Sequence, residues 1–290
     1  MSRIFDALQR AAEIGKTAGP VDPGDFVKEL VNSDLPKGER PADADIPAVA
    51  PPPPAKPMYR VEKLRLPAGA PTLPFDGSSS RAAEQYRLIR TRILSDPRQP
   101  QVIMVASPTP RDGKTITAVN LAAALALRTE NKVLLVDGDL RRPGIASSLG
   151  IPSENGLGGV LDGTCQLEDA IVNIAEVPGL YVLPSDRSTL NPSELLDSPV
   201  WKTVCTSIRR DFRYIVVDSP PISSVADYEL LEQSADGVVI VVRPDHTIRS
   251  LAFRVLETVP REKQLGLIVN CAIEWFLFKP PNPYYYGQYR

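Results

Sequence analysis

The sequence predicts an α/β fold built on a doubly wound, mostly parallel sheet. Three observations predict it. From about Ser78 onward, short β-rich apolar runs alternate with longer helical stretches. Several of these runs are apolar on both faces, as strands sandwiched between two helix layers must be. Gly113-Lys114-Thr115 opens a helical stretch just after the first run, and aspartates follow two later runs directly.

The elements before that region differ in kind. Residues 1–18 are expected to form a short amphipathic helix, since Ile4, Leu8, Ala11 and Ile14 recur at helical spacing around Phe5. A docking helix and a frayed terminal helix fit that pattern equally. Residues 19–77 contain many of the 30 prolines, including Pro51 to Pro54, and few large apolar groups. Proline removes amide donors and favours extended backbone, so this stretch reads as a disordered, semi-rigid spacer. A domain over residues 78–278 follows, then a tyrosine-rich tail over residues 279–290.

Within the domain a helix is expected from about Ser80 to Leu94. The predicted strands are Val102–Ala106, Val133–Val136, Leu180–Leu183, Tyr214–Val217, Gly237–Val242 and Leu265–Val269. The helical stretches Thr115–Arg128 and Pro192–Arg210 are long enough for right-handed crossovers, which places a ligand at the carboxyl ends of the strands.

Bulk properties exclude several functions. The 290 residues, 43% hydrophobic and 23% charged, suffice for one ordinary domain with an appendage. A formal charge of -2 supplies no basic excess for a nucleic-acid backbone. Cys165, Cys205 and Cys271 are odd in number and far apart, so neither a disulfide framework nor a zinc site is indicated, and a reducing cytoplasm fits. One histidine, His246, read as a loop residue, leaves little for a histidine-centred metal site or a Ser-His-Asp relay. No apolar run approaches the roughly 18 residues of a membrane span.

The chemistry concentrates in three segments. Ser107-Pro108-Thr109-Pro110-Arg111-Asp112-Gly113-Lys114-Thr115 lies between strand and helix as a P-loop does, although Pro108 occupies the place of the motif's first glycine. Amides of such a loop point at phosphate oxygens. Lys114 would neutralise the β and γ phosphates of ATP, and the Thr115 hydroxyl would bind Mg2+. Asp137 and Asp139 stand just past the second strand, and Asp218 past the run Tyr214–Val217. An aspartate in that position is also a common helix cap, but the three segments converge on one sheet edge.

These residues resemble the bacterial tyrosine kinases of capsule and exopolysaccharide export, P-loop NTPases of the MinD/ParA-like superfamily, from roughly Ser80 to the C-terminus. Val136-Asp137-Gly138-Asp139-Leu140-Arg141-Arg142-Pro143 looks like the family's second Walker A-type motif, and Val216-Val217-Asp218-Ser219-Pro220-Pro221 like its Walker B. Asn191-Pro192-Ser193-Glu194-Leu195-Leu196 is similar to another recurrent segment. Glu84, Arg87 and Arg90 match the helix through which family members contact neighbours in a ring, although by spacing alone they form a plain solvated stripe. By composition alone Tyr284, Tyr285, Tyr286 and Tyr289 suggest a sticky end; the resemblance makes them phosphoacceptors for an adjacent subunit.

The resemblance also implies roles. Pro110, Arg111, Asp112, Gly113, Lys114, Thr115 and Ile116 form the ATP cradle, and Asn270 meets the base. Thr115, Asp137 and Asp218 hold Mg2+, Asp139 accepts the proton of the substrate hydroxyl, and Arg141 is a weaker catalytic candidate. A membrane polysaccharide co-polymerase acts as activator and recruits the cytoplasmic protein to the inner face of the membrane. The main departure is Arg111-Asp112, where relatives have Gly-Glu. If position 111 takes positive φ, a side chain there costs roughly 1 to 2 kcal/mol. Rival readings are a MinD/ParA-like ATPase, disfavoured because Thr109 replaces its signature lysine, and a catalytically weak nucleotide-binding scaffold. A Rossmann enzyme is disfavoured by the absence of G-x-G-x-x-G after the first strand.

Overall fold

A computed structural model describes residues 59–66, 81–127, 132–185, 191–222 and 226–272. The strands among them are β1 (Arg60–Glu62), β2 (Val102–Ala106), β3 (Val133–Asp137), β4 (Val172–Ile174), β5 (Leu180–Leu183), β6 (Tyr214–Asp218), β7 (Gly237–Val242) and β8 (Gln264–Val269). The helices are α1 (Arg81–Leu94), α2 (Lys114–Ala126), α3 (Ile145–Leu149), α4 (Leu157–Asp162), α5 (Leu167–Ala170), α6 (Pro192–Leu196), α7 (Pro199–Asp211), α8 (Asp227–Gln233) and α9 (Arg249–Thr258). The amphipathic segment and the tyrosine tail lie outside the described residues.

The strands form one sheet in the order β1-β4-β5-β3-β6-β2-β7-β8. Every neighbouring pair is parallel except β4 with β5. Side chains alternate between two cores, as the two-residue period of a strand requires. Met104, Leu134, Val136, Ile215 and Ile240 face one core with Trp201, Val204 and Ile208 of α7. Ile103, Val105, Leu135, Val216 and Val239 face the other with Ala118, Leu121, Ala122 and Leu125 of α2. Helices on both faces explain why these strands read as unbroken apolar runs.

Besides the unpredicted strand β4, two features depart from expectation. The stretch Pro192–Arg210 is two helices, not one. Ser198 takes an extended conformation, φ -72 and ψ 154, and its hydroxyl accepts from the Trp201 amide at 3.4 Å. Pro199 at the next position disfavours a helical Ser198 and starts a new helix where its missing N–H does no harm.

The second departure is β1, which falls inside the stretch read as spacer and pairs with β4, Arg60 opposite Val172. Tyr59 anchors it, packing against Tyr181 at 5.2 Å and Phe212 at 6.0 Å between ring centroids. Burial, with Asp211 nearby, pushes the Tyr59 hydroxyl up to about 12, so it stays neutral. The far end is pinned where the Arg65 amide donates to the Leu149 carbonyl at 3.1 Å. Gly150 makes that approach possible: its φ is +64, and a Cβ there would lie 2.2 Å from the Arg65 carbonyl oxygen. Gly150→Ala is therefore expected to cost about 1–2 kcal/mol from the left-handed backbone alone, before the clash. Thermal unfolding should show a midpoint lowered by about 2–8 °C; an unchanged midpoint would mean that this edge contributes nothing to stability.

Candidate active site

The P-loop residues connect β2 to α2 at the carboxyl edge of the sheet. The first in-helix bond belongs to the Thr117 amide, which donates to the Gly113 carbonyl at 3.0 Å. The amides just before it have no carbonyl four residues back within the helix, which makes the helix start a cradle for anions. Two residues bend the loop through left-handed backbone, Arg111 at φ 69 and Gly113 at φ 98. Pro108 is not among the positive-φ residues, so proline is compatible with the place where the standard motif has glycine. Position 111 does take positive φ, so the conditional cost of Arg111 applies.

Behind the cradle, Asp137 and Asp218 are directly paired in the register of β3 and β6. Lys114 Nζ lies 3.1 Å from Asp139 Oδ2 and 3.6 Å from Asp218 Oδ1. The Thr115 hydroxyl donates to Asp218 Oδ2 at 2.6 Å. Asp137 Oδ2 accepts from the amides of Gly144 and Ile145, each at 3.0 Å. Asp139 Oδ1 accepts from the Arg142 amide at 3.1 Å.

One ammonium cannot neutralise three carboxylates. Burial, then the charge of Asp218, pushes Asp137 up to about 7. Burial likewise raises Asp218 despite Lys114 and Thr115. Burial works against the charge of Lys114, but Asp218 and Asp139 outweigh it and hold its pKa above the ordinary lysine value.

Asp137 Oδ1 and Asp218 Oδ1 are buried without a hydrogen-bond donor. Excess negative charge, the donor-free Asp137 Oδ1 and a hydroxyl fit a hard divalent cation such as Mg2+. Among the described residues no three acidic, histidine or cysteine groups converge closely enough to cage a metal alone.

The site opens into a cleft of about 580 Å³ lined by Pro110, Arg111, Lys114, Asp139, Arg141, Arg142, Pro220 and Pro221. A smaller hollow of about 110 Å³ between α1 and β8 includes none of these groups. Arg141 is aimed by Asp227, whose carboxylate accepts from Nε at 2.7 Å and Nη2 at 3.2 Å. Ser193 also donates to Asp227, which gives the Asn191–Leu196 segment a physical link to Arg141.

Asn270 Nδ2 donates to the Asp112 carbonyl at 3.0 Å and fills the space a Cβ on Gly113 would need, 2.0 Å away. Ile116 lies in the first turn of α2. Glu84 pairs with Arg87 on α1, whereas Arg90 Nη1 donates to the Ala124 carbonyl of α2 at 3.2 Å. Glu84 and Arg87 thus form a surface pair, while Arg90 is partly buried against α2. Tyr284, Tyr285, Tyr286 and Tyr289 lie outside the described residues.

Sequence reading missed Ser193 and Asp227 beside Arg141, and His246 and Thr247 beside Asp112. No periodicity marks such contacts, since the last two pairs are 134 and 135 residues apart.

The fold and this site define a P-loop nucleotide-binding domain. Residues 101–263 match the AAA domain family, more than half of the chain. Tyrosine-protein kinase YwqD of Bacillus subtilis (strain 168) is 36% identical over 192 residues, covering 65% of this chain and 80% of that protein. The chimerical protein CapA2B2 is 27% identical with a TM-score of 0.66, covering 75% of this chain and 96% of that one. The kinase domain of the Escherichia coli tyrosine kinase ETK is 28% identical with a TM-score of 0.62, covering 70% and 82%. The chain belongs to the family of bacterial tyrosine-protein kinases.

Proposed function

We propose that the chain is an ATP-dependent tyrosine autokinase whose acceptors are Tyr284, Tyr285, Tyr286 and Tyr289 on a neighbouring copy. The observation that carries this reading is Asp139 at the cleft beside Lys114, 3.1 Å away. ATP phosphates entering the cradle draw Lys114 toward themselves and free Asp139 to accept a proton. The phenolic oxygen attacks the γ-phosphorus, the bond to the β–γ bridging oxygen breaks, and ADP leaves. In a loose phosphoryl-transfer transition state the nucleophile bonds little, so a tyrosine of ordinary pKa near 10 needs positioning more than early deprotonation. Asp139 takes the proton late. Lys114 and the loop amides stabilise the charge that develops on the phosphoryl oxygens, with Arg141 held nearby by Asp227. Mg2+, held by Thr115, Asp218 and Asp137, would neutralise phosphate oxygens and fix their geometry.

The neighbouring copy belongs to a ring contacted through Glu84, Arg87 and Arg90. Phosphorylation of the tail regulates polymerisation and export of capsule or exopolysaccharide. Among the described residues no helix is long and apolar enough to cross a membrane. In this reading a membrane co-polymerase recruits the cytoplasmic chain to the inner face of the membrane and activates it.

The test is peptide mass spectrometry of the full chain incubated with ATP and Mg2+, beside Lys114→Met and a variant with all four tail tyrosines changed to Phe. Phosphate is expected on the tail of the unmodified chain alone. Bound or hydrolysed ATP with no modified tyrosine, even with a membrane partner present, would replace this reading by the ATPase or scaffold one.

A further inference from the structure

Asp112 is fully buried in the P-loop, yet its carboxylate meets four donors. Its Oδ2 accepts from the Thr109 amide at 2.9 Å and the Thr109 hydroxyl at 2.8 Å, both inside the loop. Its Oδ1 accepts from the Thr247 hydroxyl at 2.7 Å and from His246 Nδ1 at 2.9 Å, both beyond β7. That second segment is itself closed by two hydrogen bonds. The Thr247 hydroxyl accepts from the Arg243 amide at 2.8 Å, and the Thr247 amide donates to the Arg243 carbonyl at 2.8 Å. Asn270, whose own amide donates to Val242 at 2.8 Å, holds the Asp112 carbonyl from the end of β8. The ends of two strands thus clasp one loop residue.

The neighbour of that residue explains the need. Arg111 sits at φ 69, a left-handed conformation that a side chain disfavours and that persists only where the surroundings over-determine it. Released, Arg111 would return to negative φ and turn the Gly113 and Lys114 amides away from the cradle.

We infer that Thr247 and His246 are positioning residues for nucleotide binding, acting through Asp112 to hold the P-loop against the preference of Arg111. The inference rests on the reading of this loop as the ATP cradle. It predicts a coupling that a merely structural contact lacks. Glycine populates positive φ about as readily as negative, so a loop with Arg111→Gly needs the clasp far less.

The experiment is calorimetric binding of Mg·ATP and Mg·ADP to the full chain. Thr247→Val is expected to weaken binding about tenfold alone, and only about twofold in the Arg111→Gly background. Thr247→Ser, which keeps the hydroxyl, should retain affinity. His246→Ala should weaken binding and His246→Asn, which keeps a donor near Nδ1, should recover it. An equal loss in both backgrounds, or no loss in either, overturns the inference while leaving the P-loop reading intact. An unmodified chain that binds neither nucleotide would sink that reading, and this inference with it.

Discussion

Lys114→Met is expected to abolish phosphotyrosine formation and to destabilise the protein by about 3 kcal/mol, the usual consequence of removing one partner from a buried ion pair. Both effects come from one position. Lys114 is the cation facing Asp139 at 3.1 Å and Asp218 at 3.6 Å. Without it, the carboxylates keep their burial and lose their counter-charge. The transferring phosphoryl group loses its fixed positive neighbour as well, an effect of about 10²–10³ in rate for one preorganised donor and more for a charged one. Phosphotyrosine blotting and chemical unfolding of the same preparation separate the two. Mg2+ should restore part of the lost stability to Lys114→Met, because a divalent cation supplies the missing charge. If phosphotyrosine persists, Lys114 does not hold the transferred group. If stability is unchanged, the Lys114 ammonium contributes no net stabilisation to the buried cluster.

The central sheet was legible because burial on two faces leaves a strand no polar positions, and β2, β3, β6 and β7 are such runs. The aspartates of the sheet edge were legible for the same reason: a carboxylate closing an apolar strand marks the edge where ligands bind in such folds. What failed was short or long-range. β1 and β4 have three residues each, too few to show alternation, and their pairing joins positions as distant as Arg60 and Val172. The break before α7 did carry a local signal, Ser198-Pro199, but the apolar spacing on either side masked it. The contacts of Asp112 could not be read locally, because its outer partners lie beyond β7.

Asp137→Asn is expected to stabilise the metal-free protein while impairing Mg2+-dependent phosphoryl transfer. Asp137 is buried beside Asp218, and its pKa is pushed up to about 7 from an ordinary 3.8. The folded state therefore binds more protons than the unfolded state between about pH 4 and about pH 7, so this group's contribution to stability falls as pH rises through that window. Below it both states are protonated and no penalty applies; above it the penalty is complete. Asparagine keeps the acceptor that receives the Gly144 and Ile145 amides and carries no charge to bury. The gain should thus be near zero at pH 4 and largest above pH 7, where 1 kcal/mol corresponds to about 2–4 °C in melting midpoint for a domain of this size. Function moves the other way, because Asp137 Oδ1, buried without a donor, is a site a divalent cation would satisfy. Losing the charge should raise the Mg2+ concentration needed for half-maximal turnover by about 10- to 100-fold. Melting curves across pH in chelator, paired with Mg2+ titrations of kinase activity, test both halves. A variant that melts no higher than the parent at pH 8 would show that the parent already relieves this charge by other means. Full activity at the parental Mg2+ requirement would remove Asp137 from the metal shell. The charge of Asp137 thus costs the metal-free protein stability, and the proposed Mg2+ role is what would offset that cost.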